Sequence, residues 1–201
     1  MFTGIVTSIG TITRAAPRDQ GLRLSIGAGM LDLSDVAIGD SIAVNGVCLT
    51  VIAVHGDRFD VDVSQETISC TVGLDAPNEV NLEKSLRLSD RLGGHLMSGH
   101  VDGVGEVTRF EAVGESYLLA IRAPQELAKY IARKGSITVN GVSLTVNRVA
   151  GAEFEINLIP HTLTVTNLKN LKPGSRVNLE VDLIARYVER MLGGAEAPAR
   201  D

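Results

Sequence analysis

The 201-residue chain carries 24 acidic against 19 basic residues, and a net charge of −5 without any basic run excludes a nucleic-acid surface. No apolar stretch approaches the ~20 residues that a membrane-spanning helix needs, and the first residues lack the positive n-region of a signal peptide, so neither membrane insertion nor export is expected. The two cysteines, Cys48 and Cys70, read as reduced thiols of a cytoplasmic protein.

From the N-terminus, short runs rich in Val, Ile, Leu and Thr alternate with glycine-bearing turns, the pattern of antiparallel strands. A short helix is expected near Met30 to Leu33. Asn45-Gly46 then separates two strand-like runs and suits the positive φ angles of a tight hairpin. A second hairpin is expected around Gly56 and Asp57. Phe59, Val61 and Val63 follow, alternating with Asp60 and Asp62 as in a half-buried strand.

Near Leu92-Gly93-Gly94 the pattern starts again. A shift of 95 residues carries Ser41 to Val51 onto Ser136 to Val146, and Phe59 to Val63 onto Phe154 to Leu158. It also pairs Gly4, Val6, Gly10 and Thr67 with Gly99, Val101, Gly105 and Thr162. One unit is written twice. The second copy adds an expected helix from Pro124 to Ala132, the Asn140-Gly141 turn, and a hairpin at Gly151 and Ala152. Many short strands in so few residues predict a small closed barrel for each copy, an all-β architecture without exposed edges.

After Asp182 the pattern becomes helical, with Ile184, Val188 and Met191 on one face and no counterpart in the first copy. About three turns are marginal alone, so the helix must pack on its own barrel or on a neighbouring subunit. The expected division is 1–94, 95–181, and 182–201 as helix and tail, with a frayed tail from Gly193 to Asp201.

No phosphate-binding glycine loop opens a helix, and no Gly-x-Ser-x-Gly elbow is present. His95 and His100 lie five apart without a nearby cysteine, too little for a metal site. Any chemistry is therefore expected from ordinary side chains and from the substrate, with no metal and no cofactor.

The opening Met1 to Val6, the run Val44 to Thr50, and Gly93-Gly94-His95-Leu96-Met97-Ser98-Gly99-His100 stand in order with Gly141 to Thr145 and Leu158 to Thr162. As an ordered, internally repeated series they resemble riboflavin synthases of the trimeric alpha-chain type, from Met1 to about Leu192. The resemblance implies two six-stranded Greek-key barrels and a C-terminal helix that holds three chains together. It implies dismutation of two 6,7-dimethyl-8-ribityllumazine molecules to riboflavin and 5-amino-6-ribitylamino-2,4-pyrimidinedione by four-carbon transfer, without net redox change. One lumazine would bind each barrel, and the productive site would form between chains. Association with lumazine synthase belongs to this picture as well, and the alternative reading is a non-catalytic lumazine- or flavin-binding protein like the family's fluorescent relatives.

Cys48 aligns with Ser143, the most suggestive asymmetry between the copies. A small buried cysteine is ordinarily packing, and a thiol or hydroxyl can also steer water or add to an electrophilic carbon. The resemblance places both in facing pockets, with Ser143 the more firmly implicated. Lys134 precedes Gly135, which reads locally as a helix C-cap, and it replaces Gly39 of the first copy. His100 replaces Ile5 and suits proton movement from the acidic 7-methyl group. The resemblance gives these four a catalytic role. It implies further substrate contacts at Gly4, Ile5, Val6, Ser41, Leu49, Thr50, Asp62, Val63, Ser64, Gln65, Glu66 and Thr67. In the second copy it implies Gly99, Val101, Leu144, Thr145, Asn157, Leu158, Ile159, Pro160, His161 and Thr162. Phe2 reads as core or site, and Asp182 as helix cap or site. Asn140 stands where many relatives carry aspartate, and it is left out of the catalytic set.

Overall fold

The computed structural model describes residues 1–193. Twelve strands form two closed antiparallel barrels. The first comprises β1 (Ser8–Arg18), β2 (Gly21–Gly27), β3 (Ser41–Val44), β4 (Val47–His55), β5 (Arg58–Ser64) and β6 (Asn78–Lys84), in spatial order β1-β2-β5-β4-β3-β6. The second comprises β7 (Gly103–Val113), β8 (Ser116–Arg122), β9 (Ser136–Val139), β10 (Val142–Ala150), β11 (Glu153–Leu158) and β12 (Arg176–Val181), and repeats that order. Each is a closed barrel, as the alternating pattern predicts, and a six-stranded Greek key, as the resemblance implies. On β5, Phe59, Val61 and Val63 are buried while Asp62 and Ser64 are exposed. Burying each such apolar side chain is worth about 1.5–3 kcal/mol. Matching register shifts at Ile12/Arg14 and Val107/Arg109, and at Val51/Ala53 and Val146/Arg148, mark bulges that bend the strands toward closure.

Two elements depart from expectation. Met30 to Leu33 is not a helix: Asp32 Oδ1 accepts the Ser34 N–H at 2.9 Å and holds a turn, while Leu31 and Leu33 are buried in the first core. Pro124 to Ala132 contains a 3₁₀ segment, Gln125–Tyr130, rather than an α-helix. Two helices were not anticipated, α1 (Gln65–Cys70) and α2 (Pro160–Val165), equivalent in the two copies. Ser64 caps α1 by accepting the Thr67 N–H at 3.1 Å, and Pro160 opens α2.

The barrels meet back to back at the two Asn-Gly turns. Asn45, Gly46, Asn140 and Gly141 have φ of 48°, 82°, 46° and 80°, the left-handed pair of a type I′ turn. A Cβ on Gly46 would lie 2.8 Å from the Gly141 nitrogen, so glycine permits the close approach. Around the turns, Asn81 Nδ2 donates to the Asn140 carbonyl at 2.9 Å and Asn178 Nδ2 to the Asn45 carbonyl at 3.1 Å. Asn167 Nδ2 donates to Asn45 Oδ1 at 2.9 Å. Buried amides that satisfy one another in this way set one orientation between the barrels.

The C-terminal helix α3 (Leu183–Gly193) starts where Asp182 Oδ1 accepts the Ile184 N–H at 3.0 Å, so the capping reading of Asp182 is realised. Arg186 pairs with Asp102, and Lys129 and Tyr130 with Glu189, tying the helix to its own barrel. Its apolar residues Ile184, Val188 and Met191 remain exposed by 70%, 48% and 78%. The tail expected beyond Gly193 lies outside the described residues.

Candidate functional site

The sequence-predicted residues fall into two groups, one on each barrel, and each group is completed by the other copy's N-terminal arm. Phe2 and Met97 pair as an isolated antiparallel bridge, with Phe2 N–H donating to the Met97 carbonyl at 2.9 Å. From that crossing the arms run in opposite directions. The Ser143 N–H donates to the Gly4 carbonyl at 2.9 Å, and the Cys48 N–H donates to the Gly99 carbonyl at 2.8 Å. Val6 accordingly packs against the second core and Val101 against the first.

The first group comprises Ser41, Cys48, Thr50, α1 with its flanks, and the arm residues Gly99, His100 and Val101. Ser41 pairs with Thr50 across β3 and β4. Cys48 and Thr50 alternate with buried Val47, Leu49 and Val51, so both point outward. Asp62 is held by Arg23 in a bidentate pair at 2.7 and 2.8 Å. Arg23 lowers the Asp62 pKa through that hydrogen bond. Gln65 and Glu66 are exposed on α1, and Thr67 is half-buried. Leu49 and Val63 point into the core, leaving only their backbone on the outer surface.

The second group comprises Ser143, Thr145, Asn157, α2 and the arm residues Gly4, Ile5 and Val6. Leu144 and Leu158 are core residues like Leu49 and Val63. Asn157 Oδ1 accepts the Ser116 hydroxyl at 3.0 Å. Ile159, Pro160 and His161 are exposed, and Thr162 is half-buried. Lys134 is exposed with φ 67°, and its N–H donates to the Val146 carbonyl at 2.7 Å. Gly39 has φ 98° and its N–H donates to the Val51 carbonyl at 2.9 Å, so the copies share this backbone. The left-handed residue is thus Lys134 itself, and not Gly135 as the C-cap reading expects. A lysine there costs about 1–2 kcal/mol that glycine avoids.

His95 is a residue that sequence reasoning passed over. It is buried, its Nδ1 lies 2.7 Å from Ser143 Oγ, and its Nε2 lies 3.4 Å from Thr138 Oγ1. Burial lowers its pKa, against the opposing charges of Asp182 and Glu180. His100, chosen from sequence, is exposed beside Gly99. Cys48 sits against an apolar cluster of Phe2, Ala43 and Met97, where Phe2 is fully buried. The copies therefore offer a hydroxyl with an imidazole on one side and a thiol in apolar surroundings on the other. Glu83 and Glu180 were also missed. Both are buried, and the identical run Val-Asn-Leu-Glu ending at each was hidden because the repeat offset there is 97 rather than 95.

Both candidate surfaces are open outer faces. A cleft of about 900 Å³ on the first barrel, beside Asp35, Lys84 and Arg87, takes in only Ile5 and Ser41 of the predicted residues. The contact between Ser143 and His95, with Thr145 on the same strand face, carries more chemical meaning than the depth of that ion-paired cleft.

The lumazine binding domain model matches residues 3–85 and 98–182, one match per barrel. The riboflavin synthase of Photobacterium phosphoreum is 45% identical over 194 residues, 96% of this chain and 89% of the relative. That of Mycobacterium tuberculosis (strain ATCC 25618 / H37Rv) is 45% identical over 202 residues, 97% of this chain and all of the relative. Among solved structures, LumP complexed with riboflavin superimposes with a TM-score of 0.80 at 31% identity, covering 90% of this chain and 99% of that one. LumP complexed with 6,7-dimethyl-8-(1'-D-ribityl) lumazine superimposes with a TM-score of 0.78 at 29% identity, with the same coverage. Matched on both barrels and along nearly its whole length, the chain belongs to the riboflavin synthase family of proteins with two lumazine-binding domains.

Proposed function

We propose that this protein is a riboflavin synthase: it converts two 6,7-dimethyl-8-ribityllumazine molecules into riboflavin and 5-amino-6-ribitylamino-2,4-pyrimidinedione. The observation that carries the reading is the Ser143–His95 contact on the second barrel, set against Cys48 in apolar surroundings on the first. One substrate bound in two unlike roles calls for that kind of asymmetry. Lys134 adds to it, since a strained lysine in place of glycine is retained against a stability cost.

In this mechanism each barrel holds one lumazine by its outer face, with Thr50 and Thr145 at the ring edge and the α1 and α2 segments at the ribityl chain. Facing barrels of neighbouring chains stack the two rings. Holding both reactants in place removes up to ~7–11 kcal/mol of entropic cost from a bimolecular step. Neutral His95, with Nε2–H turned to Thr138, accepts the Ser143 proton at Nδ1 and readies the hydroxyl or a bound water to activate one lumazine. The other loses its 7-methyl proton, to which His100 lies open, and carbon–carbon bonds form. The adduct then splits, one ring system keeping the transferred four carbons as riboflavin and the other leaving as the pyrimidinedione. No electron acceptor enters this balance.

The exposed apolar face of α3 supports a homotrimer with sites between chains. Association with lumazine synthase, which would supply the substrate, goes with the same reading. Cytoplasmic placement does too; among the described residues no helix is long and apolar enough to cross a membrane. The likeness to LumP favours one second reading, a lumazine carrier without turnover. Purified protein mixed with 6,7-dimethyl-8-ribityllumazine alone decides between them. Riboflavin formed at half the lumazine consumed supports the synthase. Tight binding without product makes the protein a carrier.

A further inference from the structure

Two buried carboxylates have no part in that scheme. Glu83 on β6 accepts the Thr3 N–H at 2.7 Å, the Thr3 hydroxyl at 2.6 Å and the Gly4 N–H at 2.9 Å. Glu180 on β12 accepts the Ser98 N–H at 2.7 Å, the Ser98 hydroxyl at 2.6 Å and the Gly99 N–H at 3.0 Å. Their exposures are 6% and 3%. A buried carboxylate is costly unless its lone pairs are filled, and here the donors all come from one dipeptide of an arm.

The residue that each carboxylate grips is the one that meets the other barrel's site strand. Gly4, gripped by Glu83 of the first barrel, accepts the Ser143 N–H of the second. Gly99, gripped by Glu180 of the second barrel, accepts the Cys48 N–H of the first and precedes His100. The Thr3 carbonyl also accepts the His95 N–H at 3.1 Å, so the Glu83 grip reaches both members of the Ser143–His95 pair. Gly4 and Gly99 have φ of 76° and 77°, and a Cβ on either would lie 2.5 Å from Ser143 Cβ or 2.7 Å from Cys48 Cβ. The fit between arm and site strand is therefore tight enough to pass on a displacement.

We propose that Glu83 and Glu180 are crosswise positioning residues: Glu83 sets Ser143 and His95 on the second barrel, and Glu180 sets Cys48 and His100 on the first. The catalytic half of this statement rests on the synthase reading, whereas the positional half does not. Glutamine in either place keeps an oxygen for two donors but turns an NH₂ toward the N–H of Gly4 or Gly99. The carbonyl bound to the site strand then moves.

The experiment uses the full chain with Glu83→Gln and Glu180→Gln. Iodoacetamide alkylation is followed site by site by mass spectrometry, with exposed Cys70 of the same barrel as internal control. Glu180→Gln should raise the Cys48 alkylation rate several-fold with Cys70 unchanged, while Glu83→Gln leaves Cys48 at the wild-type rate. Both should lower kcat for riboflavin formation by about 10- to 100-fold with much smaller changes in KM, the usual consequence of a reacting group held slightly out of place. Wild-type Cys48 rates in both variants, or equal acceleration in both, would overturn the proposal. If the wild-type protein makes no riboflavin the synthase reading fails, and the alkylation arm still tests the clamps. Should glutamine prevent folding, Ser98→Ala removes one of the three donors to Glu180 and should accelerate Cys48 alone, to a smaller degree. No acceleration there would count equally against the proposal.

Discussion

Ser143 and His95 share a 2.7 Å contact in a place dry enough to keep the imidazole neutral, and that couples turnover to pH in one direction. Burial lowers the folded-state pKa of His95 below the ordinary 6.5, so the folded protein resists a proton that the unfolded chain accepts. Stability from this group is fully present above pH 6.5 and is lost as pH falls through the folded value. The acid limb of the kcat profile should have its midpoint below pH 6.5, and His95→Gln should remove that limb. Ser143→Ala should lower kcat by about 10²–10⁴-fold at neutral pH, in the range of general acid–base assistance. A full-rate Ser143→Ala enzyme would take the hydroxyl out of the mechanism. Lys134 allows stability and activity to be separated. Lys134→Gly should leave the folded state as stable or up to about 1 kcal/mol more stable, because relief of the left-handed strain exceeds the added unfolded-state freedom. Its turnover should fall nonetheless, which urea unfolding and riboflavin formation on one preparation would register together.

At the scale of elements, the Asn-Gly hairpins do more than reverse the chain. A Cβ on Gly141 would lie 2.7 Å from the Gly46 backbone nitrogen, in a left-handed conformation. Gly141→Ala should cost roughly 2–5 kcal/mol from backbone strain and overpacking combined. Gly151, with φ 62° and open space around its α-carbon, provides the comparison, and Gly151→Ala should cost only about 1 kcal/mol. Urea denaturation of the two variants measures the packing part by difference. The asparagine at 140 bears on the same seam. Its Oδ1 accepts the Asn178 N–H at 2.8 Å beside the contact between barrels, so its side-chain oxygen has a structural role.

For the whole molecule, the unpartnered face of α3 and the open candidate surfaces point to one conclusion about assembly. Ile184 and Met191 are exposed by 70% and 78% on a helix whose polar residues already bind its own barrel. The double variant Ile184→Glu/Met191→Glu should leave each chain folded, with an unchanged far-ultraviolet circular dichroism spectrum. It should sediment as a monomer and, with the proposed site between chains undone, lose most riboflavin formation. Full activity in a monomer would place both substrates on a single chain.

The fold was legible in the sequence because it rests on local periodicity and on repetition. Alternation along residues 59–63 and 154–158 marks strands, Asn-Gly marks hairpins, and the 95-residue self-match marks two barrels, all of which the structure has. Local competition was harder to read: the Asp32 side chain turned an expected helix into a turn, and Ser64 and Pro160 opened helices inside stretches named only as substrate contacts. The outward positions of Cys48, Thr50, Ser143 and Thr145 follow from strand alternation alone. What needed the tertiary structure was partnership. Nothing in the sequence distance between His95 and Ser143 announces a hydrogen bond, and the histidine nearer to hand, His100, lies on the arm that completes the other barrel. Periodicity records which face of an element is buried, whereas the crossing of two arms between two barrels is a long-range arrangement that only the assembled chain decides.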